Sequence, residues 1–370
     1  MKTTIRKTVV ILWATAALAG CAKDGDINPE PEVTPCNAIE VSGTINKPTV
    51  WQAGAVYVID GSDLRVESEL TIEPGVVVKV RDARISIFES GQIIAEGTAD
   101  KRIVFTSLHD DGHCGDTNGD KSATGPEKGD WIALDLHGTI GSIFKYVDIF
   151  YAGQNSGGSH SAVHIDWPQS VAFTFDHCRI AHTLYQPGSS SYAFYGTSAM
   201  KDAGVSKFTN NALYDNGRPI YFDAFYELDP SNVFHNPENP SVTNTHNGIY
   251  INLNTDGSNL TVNWHNTEVP YVADYVSVMQ LHRTGRIRIH SHVVVKFASP
   301  GGGLQSYDGN VYLDPTAILT SYKDDEHGGD TNGDGNTTVP ADGDWEGFRY
   351  TDGGTDIYWV QGPNILFAAN

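Results

Sequence analysis

The chain has 370 residues, 39% of them hydrophobic, with 24 basic against 45 acidic side chains and a formal net charge of −21. So acidic a balance argues against nucleic acid as a partner, because phosphate recognition needs clustered positive charge. It favours metal cations wherever the acids are gathered in one place.

Residues 1–20 read as a targeting segment. Lys2, Arg6 and Lys7 form a positive start, and residues 9–19 an apolar stretch too short to span a bilayer stably. Leu18-Ala19-Gly20-Cys21 follows and resembles the bacterial lipobox. That resemblance implies cleavage before Cys21 and its acylation, and two or more acyl chains anchor stably where one is marginal. Residues 21–38 are expected to be a flexible tether, since AKDGDINPEPEVTP has too little apolar content to pack. Lys23-Asp24-Gly25-Asp26 resembles the acidic export tag of Bacteroidetes surface lipoproteins. Ala22, not Asp, follows the cysteine, so the inner-membrane retention signal is absent. The resemblance implies an outer-membrane lipoprotein on the outer face, and no later apolar run approaches the ~18 residues of another span. Of the remaining cysteines, Cys36, Cys114 and Cys178, at least one is free or pairs with another chain. A Cys36–Cys114 bridge is compatible with an oxidising location, and Cys178, in a strand-like run, reads as a core residue.

Residues 39–370 are expected to be all-β. Short β-branched and aromatic runs such as 70–72, 76–80, 84–88, 92–95 and 103–106 alternate with Gly, Asn, Asp and Pro. They recur about every 20–28 residues, as stacked repeats do. LTIEPGVVVKV followed by GQIIAEGTADKRIVFTS resembles the N-terminal turns of right-handed parallel β-helix proteins. In such a solenoid one coil cannot bury its inward face but a stack can. Gly75, Gly91 and Gly97 are expected at corners with positive φ, and 208–217, rich in Asn, at a strand-corner-strand coil with stacked asparagines. The rival is a β-sandwich, which needs more tight hairpins than the sequence offers. Residues 348–367 are expected to close the open end.

One module occurs twice. Residues 106–131 match 320–345 at 16 of 26 positions. Upstream, Leu70-Thr71-Ile72 and 76–79 parallel Ile287-Arg288-Ile289 and 293–296. Two long inserts, at about 108–130 and 322–344, should therefore hang from the same kind of coil. Asp116, Asn118 and Asp120 alternate in the first copy; Asp330, Asn332 and Asp334 do so in the second. Alternate oxygens in a tight loop can turn to one centre, as at the start of an EF-hand calcium loop. Gly335 permits the bend, but Lys121 stands there in the first copy. The acid expected at the twelfth position is Glu127 in one copy and Ala341 in the other, so these are not EF-hands. They resemble the DxNxDG loops of extracellular proteins, closed by other acids: Asp110, Asp111 and Asp130, and Asp324, Asp325 and Asp344. Two structural calcium ions are expected. His113 and His327 match across the copies and are read as packing or hydrogen-bonding residues.

No catalytic residue is assigned. Asn254-Thr255-Asp256 and Arg286-Ile287-Arg288 echo the pectin-hydrolase pattern, but no Gly-His-Gly accompanies them, and the Asp-Asp pairs belong to the inserts. Arg283, Lys79 and Lys296 have no spacing that specifies chemistry, and the fourteen histidines are scattered. Residues 184–226 are rich in aromatics. Tyr185, Tyr192, Tyr195, Tyr221 and Tyr226 are the candidate glycan-facing residues, with core packing as the other reading. The leading expectation is a non-catalytic, calcium-binding surface lipoprotein that binds glycan or another macromolecule as an adhesin or scaffold. The alternative is a β-helix polysaccharide lyase or glycoside hydrolase acting on acidic polysaccharide.

Overall fold

Leu64, Arg65 and Val66 show the pattern that builds the protein: buried, exposed, buried. In the strand they form, every second side chain faces the interior. The same three positions recur one circuit later as Ile85, Ser86 and Ile87, paired in parallel register with the first three. A computed structural model describes residues 37–370 except 89, 138–139, 155–160, 166–171, 187–190, 197–205, 253–258, 275–277, 281–283 and 353–355. The expected signal peptide, Cys21 and Cys36, and the residues Asn254, Thr255, Asp256, Arg283, His160 and His282, lie outside the described residues.

Among the described residues the protein is all-β, without helix. The chain visits three sheets in turn and then returns to the first. Asn37–Glu40 opens a seven-stranded sheet, Gly43–Ile45 an eleven-stranded one and Thr49–Trp51 a six-stranded one. Ala55–Asp60 then pairs in parallel with Asn37–Glu40. Only two described strand pairs are antiparallel: His235–Asn236 with Asn239–Thr243, and Gly347–Thr351 with Tyr358–Trp359. A hairpin-built sandwich is therefore not the arrangement, and the parallel stacks are compatible with a parallel β-helix.

The eleven-stranded sheet runs unbroken to Ile318–Ser321. The other two stop near the middle, at Ala212–Tyr214 and Lys207–Thr209. A three-stranded sheet from Thr261–Trp264 and a four-stranded one from Val278–Gln280 then accompany the long sheet. The inward residues Leu64, Ile85, Leu134, Val163, Phe194, Ile220 and Ile249 stack through the long sheet and are all buried. Phe144, Phe175 and Phe208 extend the core from the six-stranded sheet. Burial of such side chains contributes ~1.5–3 kcal/mol each.

Asparagines hold two corners. Asn211 Nδ2 donates to Asn232 Oδ1 at 3.0 Å, and Asn216 Nδ2 to Asn244 Oδ1 at 2.9 Å, both pairs buried. Asn210 stands at φ 55°. Gly75 has the expected positive φ of 85°. Gly91 and Gly97 do not, and are needed for a different reason. A Cβ at Gly91 would lie 2.0 Å from the Val66 carbonyl oxygen, and one at Gly97 2.7 Å from that of Tyr146. Residues 358–368 fold back over the final circuit, where Ile365 bridges to Leu319 and Ala368 to Trp345.

Candidate metal centres

The two copies of the repeated module build the same structure on two different sheets. The first follows Ile103–Ser107 of the seven-stranded sheet, the second Ile318–Ser321 of the long sheet. Neither 108–133 nor 322–346 contains a strand. Each ends on a fully buried tryptophan. Trp131 Nε1 donates to the Phe150 carbonyl and Trp345 Nε1 to that of Leu366, both at 2.7 Å.

Within each loop the alternating acids organise backbone. Asp116 accepts the N–H groups of Gly119, Asp120 and Lys121 at 2.7, 3.1 and 2.8 Å. Asp330 accepts those of Asp334 and Gly335 at 3.1 and 2.9 Å. Asn118 Nδ2 donates to Asp120 and Asn332 Nδ2 to Asp334, each at 2.9 Å. Gly335 adopts φ 66°, and Lys121, its counterpart, is held at φ 59°, a left-handed conformation that costs a residue with a Cβ ~1–2 kcal/mol.

The candidate ligands divide into two sets. Asp111, Asp116 and Asp120 each place a carboxylate oxygen within 4.8 Å of the others, and Asp325, Asp330 and Asp334 repeat the arrangement. These two acidic groups could hold a metal ion. Asp110 and Asp324 instead tie the loops down. Asp110 accepts from Thr106 at 2.5 Å and pairs with His113 at 2.7 Å; Asp324 does the same with Thr320 at 2.6 Å and His327 at 2.8 Å. Burial works to raise the Asp110 pKa, but His113 and Thr106 hold it below the usual carboxylate range. Asp130 closes its loop by accepting from Ser107 and the Glu127 N–H, and Asp344 from Ser321 and the Ala341 N–H. His113 and His327 thus serve the anchoring aspartates.

The triads carry unspent charge. Three carboxylates so close repel by about 3–4 kcal/mol per pair at an effective dielectric near 20. Asp111 Oδ1 and both carboxylate oxygens of Asp325 are buried without a hydrogen-bond partner. Burial, with Asp330 and Asp334 alongside, pushes the Asp325 pKa up. An all-oxygen donor set with orphaned buried carboxylate oxygens fits a hard divalent cation. Two buried lysines lie beneath the loops. Lys79 Nζ donates to the Gly115 carbonyl at 2.7 Å; Lys296 Nζ donates to that of Gly329 at 2.6 Å and to Thr331 Oγ1 at 2.9 Å. Burial lowers the pKa of both, that of Lys296 to about 8. The sequence marked their strands but not this anchoring role, which depends on a contact with a segment more than thirty residues away.

The tyrosines separate similarly. Tyr226 is a core residue, buried, with its hydroxyl donating to the Ser206 carbonyl at 3.2 Å. Tyr192 is buried among Tyr195, Tyr221 and Tyr250. Tyr195 and Tyr221, partly exposed on the long sheet, stack on each other at 5.1 Å and 11°. Tyr185 lies against Gly217, where a Cβ would come within 2.2 Å of its ring. Cys114, in the first loop, is disulfide-bonded to a partner outside the described residues. Cys178 is a free, buried thiol whose pKa burial pushes up to about 12.

No protein-family model, no curated protein and no solved structure matches the chain.

Proposed function

We propose that this chain is a calcium-binding surface lipoprotein: a right-handed parallel β-helix over residues 39–370, with two loop inserts that each carry one structural calcium ion. The observation that carries this reading is the acid triad built twice, with buried carboxylate oxygens lacking partners at Asp111 and Asp325. Calcium suits it because a hard ion takes six to eight oxygens, from carboxylates, amides, carbonyls and water. Asp111, Asp116 and Asp120, and Asp325, Asp330 and Asp334, would supply the charge, with Asn118 and Asn332 beside them. The ion would offset the repulsion in each triad and fix a long insert against its sheet.

The same reading places Cys21 under a lipid anchor at the outer membrane, with 21–38 as tether and 1–20 as a signal peptide. Its function is binding rather than catalysis, with a glycan or another surface macromolecule as partner. The test is chelation. Removing calcium should lower the melting temperature and open residues 108–130 and 322–344 to protease. If calcium changes neither, the metal assignment fails.

A further inference from the structure

Beside the second insert lies a cluster of polar and aromatic side chains that calcium binding does not use. Arg218, two residues before the strand Ile220–Asp223, is at its centre, and 21% of its side chain reaches solvent. The guanidinium faces the rings of Tyr185, Tyr192 and Tyr250 at 5.8, 5.5 and 4.9 Å. Those faces attract its charge but do little for its five N–H donors. Nη1 donates to the Tyr192 hydroxyl at 3.2 Å, and Nε is buried with no partner. Asp274 stands 3.9 Å from Nη1, beyond hydrogen-bond reach. Burial raises the Asp274 pKa against the pull of Arg218.

One member of the cluster belongs to the insert. The Tyr322 hydroxyl donates to the Thr331 carbonyl, inside the second acid loop, at 2.9 Å, and meets the Tyr250 hydroxyl at 2.7 Å. The first insert has Leu108 in that position, packed against an apolar patch on its own sheet. The duplicated module has therefore diverged: the second copy adds a tyrosine to this cluster where the first buries a leucine. From there the outward row of the long sheet continues through Tyr221, Tyr195 and His164, which pair rung to rung. Strand spacing sets these rungs ~4.8 Å apart, a repeat comparable with one sugar of an extended chain.

We propose that this cluster binds the carboxylate of a singly carboxylated saccharide, gripped by the partly exposed Arg218 guanidinium, with the neutral remainder lying along Tyr221 and Tyr195. The proposal rests on the glycan-binding reading and gives it a ligand class. A guanidinium fork matches a carboxylate in shape and charge. One such group set in a chain of net charge −21 favours one anion and repels a polyanion.

Calorimetry on the full-length protein in calcium, with three probes, tests it: a neutral xylo-oligosaccharide, the same oligosaccharide carrying one glucuronate, and an oligogalacturonate of equal length. The singly charged probe should bind at least tenfold more tightly than either other probe. Arg218→Gln should abolish its advantage over the neutral one. Should that variant not fold, the comparison of probes on the unaltered protein still decides. Equal binding of the neutral and singly charged probes, or tightest binding of the oligogalacturonate, overturns this inference while leaving glycan binding intact. Binding of no probe overturns both.

Discussion

Lys79 and Lys296 occupy the same place beneath the two inserts, each fully buried on a strand and each donating to a glycine carbonyl, that of Gly115 just before Asp116 or that of Gly329 just before Asp330. The two lysines couple a flat sheet surface to a loop that has no strand of its own. They also put a positive charge under each group of acids, with Asp110, Asp111 and Asp116 near one and Asp324, Asp325 and Asp330 near the other.

Lys79→Met and Lys296→Met should each loosen one insert and spare the other. The methionine would lose the bond to the glycine carbonyl, worth ~0.5–1.5 kcal/mol or more for a charged donor, and Lys296 also donates to Thr331 Oγ1, a bond Lys79 does not share. Limited proteolysis should cut Lys79→Met within 108–130 and Lys296→Met within 322–344. Cleavage in both inserts of either variant would contradict independent anchoring.

Lys121 and Gly335 share a left-handed conformation but not a side chain that tolerates it. Lys121→Gly should stabilise the first loop by up to ~1 kcal/mol, the strain relieved less the extra entropy of glycine in the unfolded chain. Gly335→Lys should destabilise the second by a similar amount. No atom lies within 4 Å of a Cβ at Gly335, so the penalty would be conformational and not steric. Thermal melts of the two variants read out both signs.

Asp135 is buried on the outward row of the long sheet, 3.0 Å from Arg84, 3.6 Å from His164 and 3.9 Å from His137. Burial works to raise its pKa, but His137, His164 and Arg84 hold it well below the carboxylate range. Because the folded value lies below the unfolded one, near 3.9, the stabilisation is present above that value and lost as the pH falls toward the folded value. Asp135→Asn should cost on the order of 3 kcal/mol at neutral pH. Its stability gap from the unaltered protein should stay constant down to about pH 4 and close only in stronger acid. A gap that closes between pH 7 and pH 5 would contradict this assignment.

Cys178 should resist thiol reagents in the native protein, because it is buried and its thiolate is disfavoured. Labelling in denaturant without reductant should modify Cys178 but not Cys114, which is disulfide-bonded. Peptide mapping of the labelled protein, before and after reduction, also identifies the partner of Cys114.

Much of this architecture is legible in the sequence, because it rests on local regularities. The buried-exposed alternation at Leu64–Val66 repeats at Ile85–Ile87, and the stacked circuits follow from that repeat. The inserts announce themselves through their own duplication. What long-range contacts decide is less legible. Asp110, Asp111 and Asp130 look equivalent in the sequence, yet two of them anchor the loop to Thr106, His113 and Ser107 while Asp111 turns to Asp116 and Asp120. Gly91 and Gly97 read as corners with positive φ but are close-approach sites, a property of the surrounding backbone. Arg218 drew no notice in the sequence because the tyrosines around it come from Tyr185 to Tyr322, more than a hundred residues apart.

The most direct test of the central claim is the number of calcium ions held per chain, counted by equilibrium titration of the metal-free protein. The account predicts two in the unaltered protein. One should remain after Asp116→Asn with Asp120→Asn, one after Asp330→Asn with Asp334→Asn, and none when all four are changed. Two ions retained in either double variant, or none bound by the unaltered protein, would contradict it.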